Sequence, residues 1–179
     1  MFSAANSKPH RAPGSLQRGG IILPILPVLV AAFIASAAHG QDETTVKAGL
    51  EIWKSSGCSD CHGPFANGDK DRDEAPTGAN LRESRLDGAA LKETIRCGRP
   101  GAGMPSFDEG AYTVRACGGR PLGPKPDDLY PTPRDLTLAE IDTLIAYLQA
   151  RVIGHPRITR ADCLYYFYDS DESMCEDYK

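Results

Sequence analysis

Val46, Leu50 and Trp53 recur at i, i+4 and i+7. That spacing predicts one apolar face on a helix from about Thr45 to Ser56. Leu91 and Ile95 mark a second helix, from about Asp87 to Cys97, and Gly98 stands where a helix stops. Thr137-Leu138-Ala139-Glu140 reads as a capping box. It opens the most regular helix of the chain, with Leu138, Ile141, Leu144, Ile145, Leu148 and Val152 on one side. No strand pattern precedes Cys58. The expectation is a small all-α domain, too short of apolar positions to build a large core by itself. Between the second and third helices, residues 99–136 hold 6 Gly and 7 Pro in 38 residues and show no periodicity. A loop of that length normally argues against a compact domain, unless it has a surface to lie on.

One further apolar run has a different meaning. Ile21 to Ala38 is uncharged over 18 residues, follows Lys8, Arg11 and Arg18, and ends in small residues up to Gly40. Basic, apolar and small-residue segments in that order describe a secretory signal, cleaved after Gly40 or after Ala37. An uncleaved membrane anchor is the competing reading, weakened by Pro24 and Pro27 in the run. Either way the body is exported, and a periplasmic location is expected. The chain then divides into residues 1–40 (signal or anchor), 41–152 (the domain) and 153–179 (a C-terminal extension).

At 179 residues, 41% hydrophobic and 25% charged, the chain fits one globular domain with extras. These values exclude a mostly disordered chain, a collagen-like repeat and a multi-span membrane protein. From Asp42 onward there are 24 acidic and 17 basic residues, a net charge of −7. No nucleic acid is expected as partner for so acidic a body.

All six cysteines lie beyond the export segment. Cys58-Ser59-Asp60-Cys61-His62 reads as a c-type haem attachment site. Two thiols about one helical turn apart can each add to one haem vinyl group, and the adjacent imidazole meets the iron. A thioredoxin-like site would want a βαβ setting, and a zinc site a second close pair of ligands. The motif occurs once, so one haem c is expected, covalent through Cys58 and Cys61. His62 then needs a partner on the opposite face. The candidates past the export segment are Met104, Met174 and His155. Met104 is favoured: Gly101-Ala102-Gly103 lets the backbone come close to a flat ring, and Pro105 fixes the chain behind it. Cys97, Cys117, Cys163 and Cys175 form an even set in an oxidising compartment, so two disulfides are expected. Of three connectivities, the local one (Cys97–Cys117 and Cys163–Cys175) is favoured on loop-closure grounds.

Gly57-Cys58-x-x-Cys61-His62, then Ile95-Arg96-Cys97-Gly98-Arg99-Pro100-Gly101-x-Gly103-Met104-Pro105, then a helix ending Ile145-Ala146-Tyr147-Leu148, together resemble a class I c-type cytochrome of the mono-haem family. The resemblance covers about Thr45 to Val152. It implies a cytochrome c-like fold around one covalently bound haem, with the Gly/Pro-rich segment lying over the haem face that bears Met104. It also implies a close crossing of the first and last helices. Gly49 and Trp53 on one, and Leu144 and Tyr147 on the other, are candidates for that crossing. The carbonyl receiving the second N–H of His62 would be that of Pro76, with Pro64 as rival. Arg96 and Arg99 flank the ligand loop and are candidates for the haem carboxylates, with surface solvation as the alternative. The extension is outside the resemblance. Six acids, Tyr165, Tyr166, Phe167, Tyr168 and Tyr178 suit either a stapled cap on the body or a docking patch for a partner.

With His62 and Met104 both on iron, no coordination site stays open. The expected function is one-electron transfer, not catalysis, from a periplasmic dehydrogenase to an oxidase or another cytochrome. Membrane contact is expected only if residues 21–38 are retained. The alternatives are a haem c enzyme or gas sensor with a labile sixth ligand, and a fixed cytochrome subunit of a larger oxidoreductase.

Overall fold

A computed structural model describes residues 42–126, 134–168, 170 and 172–179. Every described residue lies in one compact unit, Ala38–Lys179. Residues 1–40, expected to be a signal or anchor, and residues 127–133 of the Gly/Pro-rich stretch lie outside the described residues. Among those described, no helix is long and apolar enough to cross a membrane.

The architecture is helical. α1 (Glu43–Ser55), α2 (Cys58–His62), α3 (Gly88–Cys97), α4 (Leu138–Tyr147) and α5 (Arg160–Tyr166) follow one another in the chain. Extended pairing among the described residues is limited to isolated bridges such as Arg99 with Met104. Helix starts are set by side-chain caps. Asp42 accepts from the Thr45 amide at 3.1 Å, and Asp87 from the Ala90 amide at 2.8 Å. Thr137 and Glu140 close the expected capping box reciprocally. Gly98, at φ +66°, ends α3 with its N–H on the Thr94 carbonyl. α4 runs on as one π turn over Leu148–Val152.

α1 and α4 cross at Gly49. A Cβ there would collide with the Thr143 carbonyl and the Tyr147 Cβ, so the crossing needs glycine. Trp53 and Tyr147 pack beside it with ring centroids 6.2 Å apart. Leu50, Leu136, Ile141, Leu144 and Leu148 complete a small buried core.

Two disulfides are present, Cys97–Cys117 and Cys163–Cys175, while Cys58 and Cys61 carry free thiols. The second bridge ties α5 to a 3-10 turn at Glu172–Cys175. The extension packs on the body. Tyr166, Phe167 and Tyr178 surround Phe65 edge-on, with centroids 5.3–6.1 Å away. Tyr168 lies against α1, with Lys47 Nζ 4.0 Å from its ring centroid and its hydroxyl donating to Glu51 at 3.3 Å.

Candidate haem site

A cavity of about 740 Å³ opens where α1, α2, α3 and α4 meet the segments 76–86 and 99–107. Its volume falls in the range of small-molecule and cofactor sites, roughly 300–1,000 Å³. Cys58, Cys61, His62 and Met104 all line it. Its walls are mostly apolar, with Leu81, Leu91, Ile95, Phe107, Leu144 and Leu148 among them. The structure thus gathers around one space the four residues that the sequence singles out as haem-binding. The two other candidate axial ligands lie elsewhere: Met174 is 53% exposed in the extension, and His155 is on the surface, with neither lining the cavity.

α2 follows Gly57, whose φ of +71° turns the chain directly from α1 into the Cys58–His62 turn. The His62 ring then meets a backbone cradle. Its Nδ1 lies 2.8 Å from the Ala79 carbonyl. A carbonyl only accepts, so Nδ1 carries the proton and Nε2 keeps the lone pair a metal needs. The receiving carbonyl is therefore that of Ala79, not of Pro76 or Pro64. Gly78 makes this geometry available, since a Cβ there would lie 2.6 Å from Nδ1 and 2.8 Å from Cε1. The Gly78 N–H also donates to the Cys61 carbonyl at 2.8 Å, fixing the cradle to α2. Burial lowers the His62 pKa, opposed by the bond to Ala79, and so favours the neutral ring. Burial, with Cys61 and Asp60 nearby, pushes the Cys58 thiol up to about 12; burial also raises Cys61. Neither is the low-pKa thiolate of a thiol oxidoreductase.

Met104 sits on a tight loop. Arg99 N–H donates to the Met104 carbonyl at 2.8 Å, and the return bond is 3.2 Å. Pro100–Ala102 forms a 3-10 turn between them, and Gly103 has φ +75°. Behind the loop, Ser106 donates its hydroxyl to the Arg96 carbonyl and the Phe107 N–H bonds the Ile95 carbonyl at 3.1 Å. Asp108, fully buried, anchors the same strap. It accepts from Arg96 Nε at 3.1 Å, Arg115 Nη1 at 2.8 Å and the Gly110 amide at 2.9 Å. The Cys97–Cys117 bridge spans the whole strap.

Arg96 is thereby committed to Asp108 and to Glu93, and it does not line the cavity. The arginines that do are Arg85 and Arg99. No acidic partner is found for either among the described residues, whereas seven other arginines pair with acids. Trp53, also on the cavity wall, has a buried indole N–H without an acceptor. Apolar walls, two unpaired guanidinium groups and an orphan donor fit a flat apolar group bearing carboxylates. Paired thiols and a neutral imidazole fit the same group, haem c.

Gly78, Ala79, Arg85 and Asp108 escape a reading of the sequence. Ala79 acts through its backbone, which no side-chain pattern reports. Asp108 follows Ser106-Phe107 and precedes Glu109-Gly110, where an acid looks like loop solvation.

Apolar walls, paired thiols and a neutral imidazole make this cavity a candidate haem site. Residues 44–115, which contain Cys58, Cys61, His62 and Met104, match the family described as cytochrome C oxidase, cbb3-type, subunit III. That stretch is a c-type cytochrome domain, a type that works in haem-based electron transfer with redox-protein partners. No curated protein and no solved structure matched the chain.

Proposed function

We propose that this protein is an exported one-electron carrier with a single covalent haem c. Cys58 and Cys61 would hold the group by thioether bonds, with His62 and Met104 as its axial ligands. Bound there, it supplies a reversible Fe(III)/Fe(II) couple. The observation that carries the reading is the convergence of all four side chains on one apolar cavity, with His62 already oriented by Ala79.

The remaining residues serve that task. The Ala79 carbonyl holds the His62 proton on Nδ1 and makes Nε2 the donor atom. The Arg99–Met104 loop and the Asp108 strap hold the methionine in one place, which keeps reorganisation small between oxidation states. Leu91, Ile95, Leu144 and Leu148 exclude water, which disfavours the more highly charged ferric state. Arg85 and Arg99 would take the carboxylates at the rim. Gly101 to Gly103 are exposed beside Met104 and leave an approach for a partner. The net charge of −7 from Asp42 onward favours partners with basic docking surfaces. A periplasmic dehydrogenase as donor, and an oxidase or another cytochrome as acceptor, suit that chemistry. Residues 1–40 would direct export, leaving 41–152 as the domain and 153–179 as its extension.

A second reading is a fixed cytochrome subunit of a larger oxidoreductase. The description of the matched family, an oxidase subunit, favours it. Stoichiometric co-purification with membrane subunits supports that reading, and a free monomer supports the shuttle.

The test is a pair of spectra. The ferric protein should show the weak far-red band of methionine ligation, lost in Met104→Ala, and the ferrous protein should not bind carbon monoxide at neutral pH. Rapid carbon monoxide binding by the unmutated protein would instead mean an enzyme or gas sensor.

A further inference from the structure

Among the described residues Arg82 is the most deeply buried arginine, its side chain 2% exposed, and it lies outside the cavity wall. It makes four bonds. Nε donates to the His155 carbonyl at 2.6 Å, and Nη1 to the Phe65 carbonyl at 3.1 Å. Nη2 donates to the Arg157 carbonyl at 2.8 Å and to Asp162 Oδ2 at 3.1 Å. Three of these acceptors belong to the C-terminal extension. Phe65 belongs to the segment just after His62. The Arg82 carbonyl, in turn, accepts from the Gly154 amide at 3.2 Å.

The chain leaving Ala79 is therefore held at both ends. On one side, Gly78 is bonded to the Cys61 carbonyl. On the other, Leu81 N–H reaches the Ala66 carbonyl at 2.8 Å, and Arg82 is locked into the extension. Ala79 and Asn80 between them are exposed, and Asn80 Oδ1 accepts from the Arg82 amide at 3.0 Å. Tyr166 of the extension also packs on Phe65, just after the attachment motif, with ring centroids 5.8 Å apart.

We propose that Arg82 is a positioning residue for the axial histidine: it couples the C-terminal extension to the Ala79 carbonyl that accepts the His62 Nδ1 proton. This rests on the haem c reading above. The bond from Nδ1–H to a carbonyl raises ligand basicity and favours ferric iron. If the Ala79 segment loosens, the ferrous state gains. A fork of planar donors is needed to reach four acceptors in three directions, and lysine, a point charge with three donors, cannot replace it.

The test uses full-length Arg82→Lys, which retains the charge. With haem attached, the His62 Nδ1–H should exchange with solvent at least tenfold faster than in the unmutated protein. The ferrous/ferric ratio at fixed potential should rise by up to about tenfold, equivalent to about 59 mV for one electron. Tyr178→Ala is the comparison. It removes a ring 5.3 Å from Phe65, is outside the Arg82 contacts, and should lower thermal stability while leaving ring exchange and potential unchanged. If Arg82→Lys does not fold, Asp162→Asn should give a smaller increase in the same ring exchange. Unmutated exchange and potential in a folded but less stable Arg82→Lys would make Arg82 merely structural and overturn the proposal. Equal effects from Tyr178→Ala would overturn it too, by making the extension a general clamp. An unmutated chain without covalent haem would refute the haem reading itself, an outcome distinct from both.

Discussion

Asp108→Asn isolates one charge at the centre of the methionine strap. The substitution preserves shape and leaves an oxygen for the Gly110 amide. It removes the charge that faces Arg96 at 3.1 Å and Arg115 at 2.8 Å. Breaking a buried ion pair on one side costs about 3–5 kcal/mol. Here the side chains of Arg96 and Arg115 are 19% and 31% exposed, so water recovers part of their solvation. Glu93 and Glu109 also remain as partners. The expected loss is therefore below that range, about 2–3 kcal/mol. With a urea slope of about 2 kcal/mol/M, the unfolding midpoint should fall by roughly 1–1.5 M at unchanged slope. Because the strap carries Met104, the far-red band should also weaken before global unfolding begins. Urea titration of the haem-loaded protein, followed both at that band and by far-UV circular dichroism, measures the two effects together. A midpoint shift equivalent to less than about 0.5 kcal/mol, the range of ordinary surface substitutions, would refute the role given to Asp108.

Three further outcomes follow from other parts of the fold. Gly49→Ala should gain about 1 kcal/mol of helix propensity, lose more to the collision with Thr143 and Tyr147, and be destabilised on balance by about 1–3 kcal/mol in thermal unfolding; an unchanged or raised midpoint would mean that the crossing is not close. Glu140 is held down to about 2 by the Thr137 amide, Arg134 and the Thr137 hydroxyl, so its contribution is complete above the ordinary carboxylate range and is lost as pH falls from about 4.5 towards 2; Glu140→Gln should flatten the acid dependence of stability in that window, and parallel curves would count against the capping box. Reducing Cys97–Cys117, or replacing both cysteines by serine, should lower the pH or denaturant concentration at which methionine ligation is lost, and an unaltered ligand band and potential would end the idea that the bridge clamps Met104.

The helices were legible because their signals are local. Val46, Leu50 and Trp53 point one way by spacing alone, and Asp87, Gly98 and the Thr137–Glu140 pair mark ends by hydrogen bonds within one turn. Gly49 was legible through the family resemblance, which implies a close crossing of the first and last helices that a small residue permits. α5 carried a comparable signal that was missed: Thr159 and Asp162 form a second reciprocal capping box. The long-range polar contacts left no such trace. Arg82 reaches residues up to 80 positions away, and nothing in its neighbourhood distinguishes it from solvated arginines. Arg96 looked like a haem-carboxylate partner until the fold brought Asp108 beside it, leaving Arg85 and Arg99 at the cavity. The pairing of α1 with α4, and of the extension with Phe65, brings distant segments together in the same way.

The most direct measurement is whether haem stays with the polypeptide after denaturation and acid extraction of the protein. We predict that one haem per chain remains attached in the unmutated protein and that it is released when Cys58 and Cys61 are both replaced by alanine. A chain exported with an active haem-attachment system that carries no extraction-resistant haem would contradict the account at its centre.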